Sequence, residues 1–160
     1  LVPSPKVLTY DTQPEMSAKT VTQELTNAMA KNEFGLIVVN YANPDMVGHT
    51  GNIKAAIKAV ETVDQCVGKV VESVLDYDGT MLLTADHGNC EVMFDEERGI
   101  PHTAHTTNLV PTILINASRN VARLKPGKLA DVAPTILDLM SIPKPKIMTG
   151  SSLLSLNRGV

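Results

Sequence analysis

All four histidines of this 160-residue chain fall in three short polar clusters, beside side chains that can hold a cation. Asn43-Pro44-Asp45-Met46-Val47-Gly48-His49 follows the apolar run Leu36-Ile37-Val38-Val39. Asp86-His87-Gly88-Asn89 follows Met81-Leu82-Leu83, and His102-Thr103-Ala104-His105 precedes Thr112-Ile113-Leu114-Ile115. Neutral imidazole and carboxylate together form a ligand set for a catalytic divalent ion such as Mn²⁺ or Zn²⁺. Random placement would scatter histidines over helices as well, so this distribution points to one shared site.

Each cluster has a plainer alternative. Asp45 and His49 stand four residues apart, so a helical turn from Pro44 would put both on one face. The alternative is a helix-capping aspartate followed by an incidental surface histidine. Asp86 and His87 are adjacent and would point to opposite faces of an extended chain. They converge on one ion only if the chain bends, which Gly88 permits. Otherwise they mark a polar exit from a strand. His102 and His105 could be two ligands, or one ligand beside a phosphate-facing group. Either of them alone would be read as structural.

The elements that must position these groups alternate. Residues 7–10 form a short strand candidate, and Ser17 is placed to cap a helix over residues 18–32 with Val21, Leu25, Ala28 and Met29 on one face. Gly35 closes that helix, and residues 36–40 read as a buried strand. A long helix over residues 52–76 repeats Ile53, Ile57, Val60, Val63, Val67, Val70 and Val74 at steps of three and four. Asp78-Gly79 turns the chain into a strand over residues 80–84. The 25-residue loop 86–110 carries three histidines and is long enough to expect a function. A strand over residues 112–115 and a helix from Asp131 through Met140 follow, and the proline- and lysine-rich tail from Ser141 wraps the surface. This alternation predicts an α/β class with a mostly parallel sheet and helices on both faces. Ligands of such sheets bind outside the carboxyl ends of the strands, where two of the clusters lie.

Composition excludes several functions. With 3% aromatic residues and a net charge of −3, the chain lacks the stacking rings and basic surface that nucleic acid or anionic membranes require. No apolar stretch approaches the roughly 20 residues of a membrane span. The start has neither a signal-peptide pattern nor an initiator methionine, so the chain is expected to begin partway through a longer protein. Cys66 and Cys90 are too few for a disulfide framework, which fits a reduced, cytoplasmic setting. Cys66 reads as a core residue. Cys90 lies near a cluster, but hard phosphate chemistry favours oxygen and imidazole donors over thiolate.

The residues from Asn40 to His49, Thr84-Ala85-Asp86-His87-Gly88-Asn89, and Pro101-His102-Thr103-Ala104-His105-Thr106-Thr107-Asn108 resemble the cofactor-independent phosphoglycerate mutases of the alkaline phosphatase superfamily. So do Ser4-Pro5-Lys6-Val7, Gln13-Pro14-Glu15-Met16-Ser17-Ala18 and Ala130-Asp131-Val132-Ala133-Pro134-Thr135. The resemblance covers essentially the whole chain. It implies two divalent ions, commonly Mn²⁺, with Zn²⁺, Co²⁺ or Mg²⁺ as alternatives. It also implies Asp45, His49 and His105 as ligands of one ion, and Asp86 and His87 as part of the other's shell. His102 is taken as a neighbour. Family members move phosphate between the 3- and 2-hydroxyls of glycerate through a phosphoserine. Their nucleophilic serine, an aspartate ligand and the arginine-rich substrate domain belong to an upstream region absent here. Ser17, Ser73, Ser118 and Ser141 do not follow a strand and open a helix as a replacement would. The resemblance thus implies that residues 1–160 are the C-terminal part of the phosphatase-like domain. This part carries no catalytic residue and is inactive alone, whereas the intact enzyme is a cytoplasmic, monomeric isomerase. The alternatives are another metal-dependent member of the superfamily and a non-catalytic metal-binding domain. A domain cut from its sheet is also expected to self-associate through uncovered apolar faces.

Overall fold

The computed structural model describes residues 1–117 and 121–156, which divide into two compact units. The first comprises Leu1–Gly79 and His87–Leu109, and the second Thr80–Asp86 and Val110–Val160.

The first unit is built on three helices. Helix α1 spans Ala18–Lys31 and buries Ala18, Thr22 and Leu25. Ser17 precedes it but does not cap it, because its hydroxyl donates to the Pro3 carbonyl at 2.6 Å. The helix stops at Asn32 rather than at Gly35, with Asn32 in the left-handed region (φ 52°) and its N–H bonded to the Met29 carbonyl. Asparagine tolerates that conformation better than most residues. Helix α2, Asn43–Gly48, has a proline in its first turn, where no N–H is needed. Buried Asn43 donates from Nδ2 to the carbonyls of Pro14 and Glu15, tying the segment before α1 to α2. Helix α3, Ile53–Asp76, starts at Asn52, whose side chain accepts the Ala55 N–H.

The buried face of α3 follows the stripe of large apolar residues only near its C-terminal end, at Val70 and Val74. Ala55, Ala56, Ala59, Thr62, Cys66, Val70 and Val74 are buried, while Ile53, Ile57 and Val60 stay exposed. Fully buried Val47 of α2 packs on the three alanines, with Tyr10, Cys90 and Met93 around it. Small side chains let two helices approach closely, so the alanine face wins over the bulkier stripe. This contact fixes α2, and with it the segment carrying Asp45 and His49.

Two strand expectations fail here. Residues 36–40 form no ladder, and Val38 is 80% exposed. A strand exists through its hydrogen-bonded neighbour, and none pairs with this run among the described residues. Residues 7–10 are likewise not a strand: Tyr10–Thr12 form a 3₁₀ turn that places Tyr10 on the core. The long histidine loop contains a small hairpin, β2 (Phe94–Asp95) with β3 (Ile100–Pro101).

In the second unit β1 (Met81–Thr84) pairs antiparallel with β4 (Thr112–Ile115), with Met81 opposite Ile115. Strand β5 (Val121–Leu124) pairs antiparallel with β6 (Leu154–Leu156), so the tail is partly a strand with Leu153 and Leu154 buried, not a surface wrap. The α/β class stands. The parallel pairing expected within it does not form among the described residues: β1 with β4, β2 with β3 and β5 with β6 all pair antiparallel, and residues 36–40 remain unpaired. A 3₁₀ turn at Leu129–Asp131 leads into helix α4, Val132–Leu139. The Asp131 carboxylate accepts the N–H groups of Ser151 (2.8 Å) and Lys128 (2.9 Å), and these bonds hold its pKa below the usual aspartate value. Thr135, fully buried, donates to the Asp131 carbonyl and accepts the Leu153 N–H at 2.9 Å. Thr135→Val would leave that N–H unpaired and should lower unfolding stability by about 1–3 kcal/mol, measured by urea titration. Among the described residues no helix is long and apolar enough to cross a membrane.

Candidate metal centre

The first unit brings Asp45, His49 and His105 together. The α2 turn continues into His49, whose N–H bonds the Asp45 carbonyl at 3.1 Å, so the two side chains share one face. Asp45 Oδ1 lies 3.1 Å from His49 Nε2 and 2.9 Å from His105 Nε2, and the two Nε2 atoms are 3.1 Å apart. Three donor atoms thus form a nearly equilateral triangle. Bonds of about 2.1 Å meeting at right angles span edges of about 3 Å, so the triangle matches one face of an octahedral cation site.

Proton placement supports the same reading. The Thr103 carbonyl, 2.7 Å from His49 Nδ1, can only accept, so Nδ1 carries a proton and, in the neutral ring, Nε2 presents a lone pair. That lone pair faces the Asp45 oxygen and the His105 nitrogen. Without a cation, the three atoms are reconciled only if at least one of the two Nε2 atoms carries a proton. A divalent ion would satisfy all three at once, and a carbonyl on the far nitrogen is the usual way a ligating imidazole is oriented. The donor set therefore fits a divalent cation.

Around this triad lie residues to which sequence reasoning gave no role. Asn89 is buried and donates from Nδ2 to Asp45 Oδ1 at 3.1 Å, whereas its own Oδ1 has no hydrogen-bond partner. Any Cβ at residue 48 would overlap that oxygen, which is why a glycine stands before His49. Glu91 binds the Thr106 hydroxyl, and this bond holds its carboxyl below the usual carboxylate range. The only signal for either residue was its place directly after the Asp86-His87 cluster.

The other sequence candidates are placed differently. His87 Nε2 lies 3.8 Å from Asp45 Oδ1, and its ring stacks on that of His105 at a 3.7 Å centroid distance. Asp86 is exposed and belongs to the second unit, so it is not part of the triad's unit. His102 turns away to the hairpin, its Nδ1 donating to the Val92 carbonyl at 3.1 Å. Cys90 donates its thiol to the Pro44 carbonyl, and burial pushes its pKa up, which suits packing rather than ligation. Of the serines considered, Ser73 lies inside α3, Ser141 follows α4 in the left-handed region (φ 57°), and Ser118 falls outside the described residues.

Residues 1–144 match the metalloenzyme superfamily, and the chain belongs to it. It is 59% identical over 155 residues to the 2,3-bisphosphoglycerate-independent phosphoglycerate mutase of Syntrophotalea carbinolica, covering 96% of this chain and 30% of that protein. The mutase of the same name from Wolbachia pipientis is 60% identical over 156 residues, covering 97% and 30%. A crystal structure of Leishmania mexicana phosphoglycerate mutase at low cobalt concentration superposes with a TM-score of 0.88 at 29% identity, over 98% of this chain and 31% of that one. The fold is therefore that of a phosphoglycerate mutase, in part. The chain spans about 30% of the length of the curated relatives it matches.

Proposed function

We propose that this chain is the C-terminal, metal-binding part of a cofactor-independent phosphoglycerate mutase, a cytoplasmic isomerase of glycolysis. The observation that carries the reading is the triangle of Asp45, His49 and His105 donor atoms in a chain so similar to such mutases. Asp45, His49 and His105 would hold one divalent ion, and Asp86 and His87 would contribute to a second. Mn²⁺ is the favoured metal, and Zn²⁺, Co²⁺ and Mg²⁺ accept related donor sets. When bound, the ions supply polarisation of the phosphoryl oxygens and neutralisation of charge during transfer.

The chain's own groups do the positioning. Asp45 supplies the negative charge of the triad. His49 is held in one tautomer by Thr103, and His105 is stacked against His87. Phosphate would leave the 3-hydroxyl of glycerate for a serine in the remaining part of the enzyme and return to the 2-hydroxyl. The small phosphorylated glycerate is the substrate of that whole enzyme. The test is conversion of 3-phosphoglycerate to 2-phosphoglycerate by the full-length protein. Turnover should fall to background after chelation and return with Mn²⁺, and chelator-insensitive turnover would refute the metal role.

The isolated chain should also self-associate, because Phe34, Leu36, Val38, Ile53, Ile57 and Val60 are all exposed. Light scattering over a concentration series should show growing mass. A monodisperse monomer at every concentration would contradict this.

A further inference from the structure

We propose that Glu91 is a positioning residue for the candidate metal centre, clamping the loop of His87 to the loop of His105. The inference rests on the metal reading above and adds a residue to it. Glu91 Oε2 accepts the N–H of Asn89 at 2.7 Å, two residues beyond His87. Its Oε1 accepts the Thr106 hydroxyl and the Asn108 side-chain amide at 3.0 Å, both just past His105. One carboxylate therefore receives donors from both histidine segments. The Thr106 N–H adds a backbone bond to the Gly88 carbonyl at 2.9 Å, joining the same two stretches. A Cβ at Gly88 would overlap the Thr106 hydroxyl and the Glu91 carboxylate, so the crossing is closely fitted.

The geometry separates positioning from ligation. Both Glu91 oxygens are already occupied by three donors, and Glu91 is not in the group formed by Asp45, His49 and His105. What it fixes is the spacing that lets the His87 and His105 rings stack and puts His105 Nε2 against Asp45. None of residues 102–109 is buried, so polar bonds hold that loop against the loop of His87. A charged acceptor bridging them supplies stronger bonds than a neutral one would. Partners behind the ligands of a metal site commonly affect affinity by about 10–100-fold.

The experiment is Mn²⁺ titration of the chain, read by the electron paramagnetic resonance of free ion, for wild type, Glu91→Ala, Thr106→Val and Thr106→Ser. Glu91→Ala should weaken binding about 10–100-fold with helical content unchanged. Thr106→Val should weaken it several-fold, and Thr106→Ser, which restores the hydroxyl, should recover most of that loss. Thr135→Val, destabilised in the other unit, should bind like wild type. If Glu91→Ala fails to fold, the Thr106 pair decides alone. Affinities of Glu91→Ala and Thr106→Val within twofold of wild type would overturn the proposal. A wild-type chain that takes up no Mn²⁺ would sink the metal reading itself. Nuclear magnetic resonance of the imidazoles in the metal-free chain then still judges Glu91. The ring-current signature of the His87–His105 stack should disappear in Glu91→Ala, and its persistence would count against the clamp.

Discussion

Asp45→Ala should reduce divalent-ion affinity by more than about a hundredfold, exceeding the roughly 10–100-fold expected for an outer partner. Asp45 Oδ1 is the one atom approached by His49, His105, His87 and the Asn89 amide. It is also the only anionic donor in the triad. Removing it leaves two imidazoles, which hold a hard cation weakly. Isothermal titration with Mn²⁺ measures the effect, and circular dichroism checks that α2 survives. In the full-length protein the same change should take mutase turnover close to background, because charge neutralisation at the phosphoryl group would go with the ion. Activity retained by Asp45→Ala and by His105→Ala would leave the non-catalytic alternative standing.

The second large effect concerns the isolated 160-residue chain. It should bind a cation yet show no conversion of 3-phosphoglycerate above a protein-free control. Covalent transfer needs an activated nucleophile beside the ions. Ser17 is already committed to the Pro3 carbonyl, and Ser73 lies within a helix. Among the described residues, the polar groups placed against the triad are His87, Asn89 and Thr103, none of them a lysine or arginine that would hold a triply charged phosphoglycerate. A coupled enzyme assay with saturating Mn²⁺ would decide it. Measurable turnover by the purified chain would mean that one of its own residues takes up the phosphate.

Much of the helical framework was readable from pattern. The stretch from Asn52 to Asp76 declared itself by period, and α1 by its apolar face. Which side of α3 would be buried was not readable, because two apolar stripes coexist there. The choice fell to the alanines only because Val47 of a neighbouring helix fits them. Residues 36–40 have every local mark of a buried strand and lie exposed, since pairing is a property of two segments and not of one. Strands β5 and β6 were missed for the same reason: each is short, and each becomes a strand by meeting the other.

The candidate site shows a similar division. Donor chemistry and the four-residue spacing of Asp45 and His49 can be read locally. That His105 lies 2.9 Å from the Asp45 carboxylate, 60 residues away in sequence, depends on the crossing at Gly88 and Thr106. No local pattern encodes that crossing. Asn89 and Glu91 stood in plain sight beside His87, but their roles are visible only when their partners across the loop are known.

One measurement bears on the shared premise more directly than any substitution. Crystals soaked in Mn²⁺ and recorded at the manganese absorption edge would locate the ion by anomalous scattering. The peak should sit within bonding distance, about 2.0–2.3 Å, of an Asp45 carboxylate oxygen and of Nε2 of His49 and His105. Anomalous density confined to other carboxylates, with these three side chains hydrogen-bonded only to one another, would contradict it.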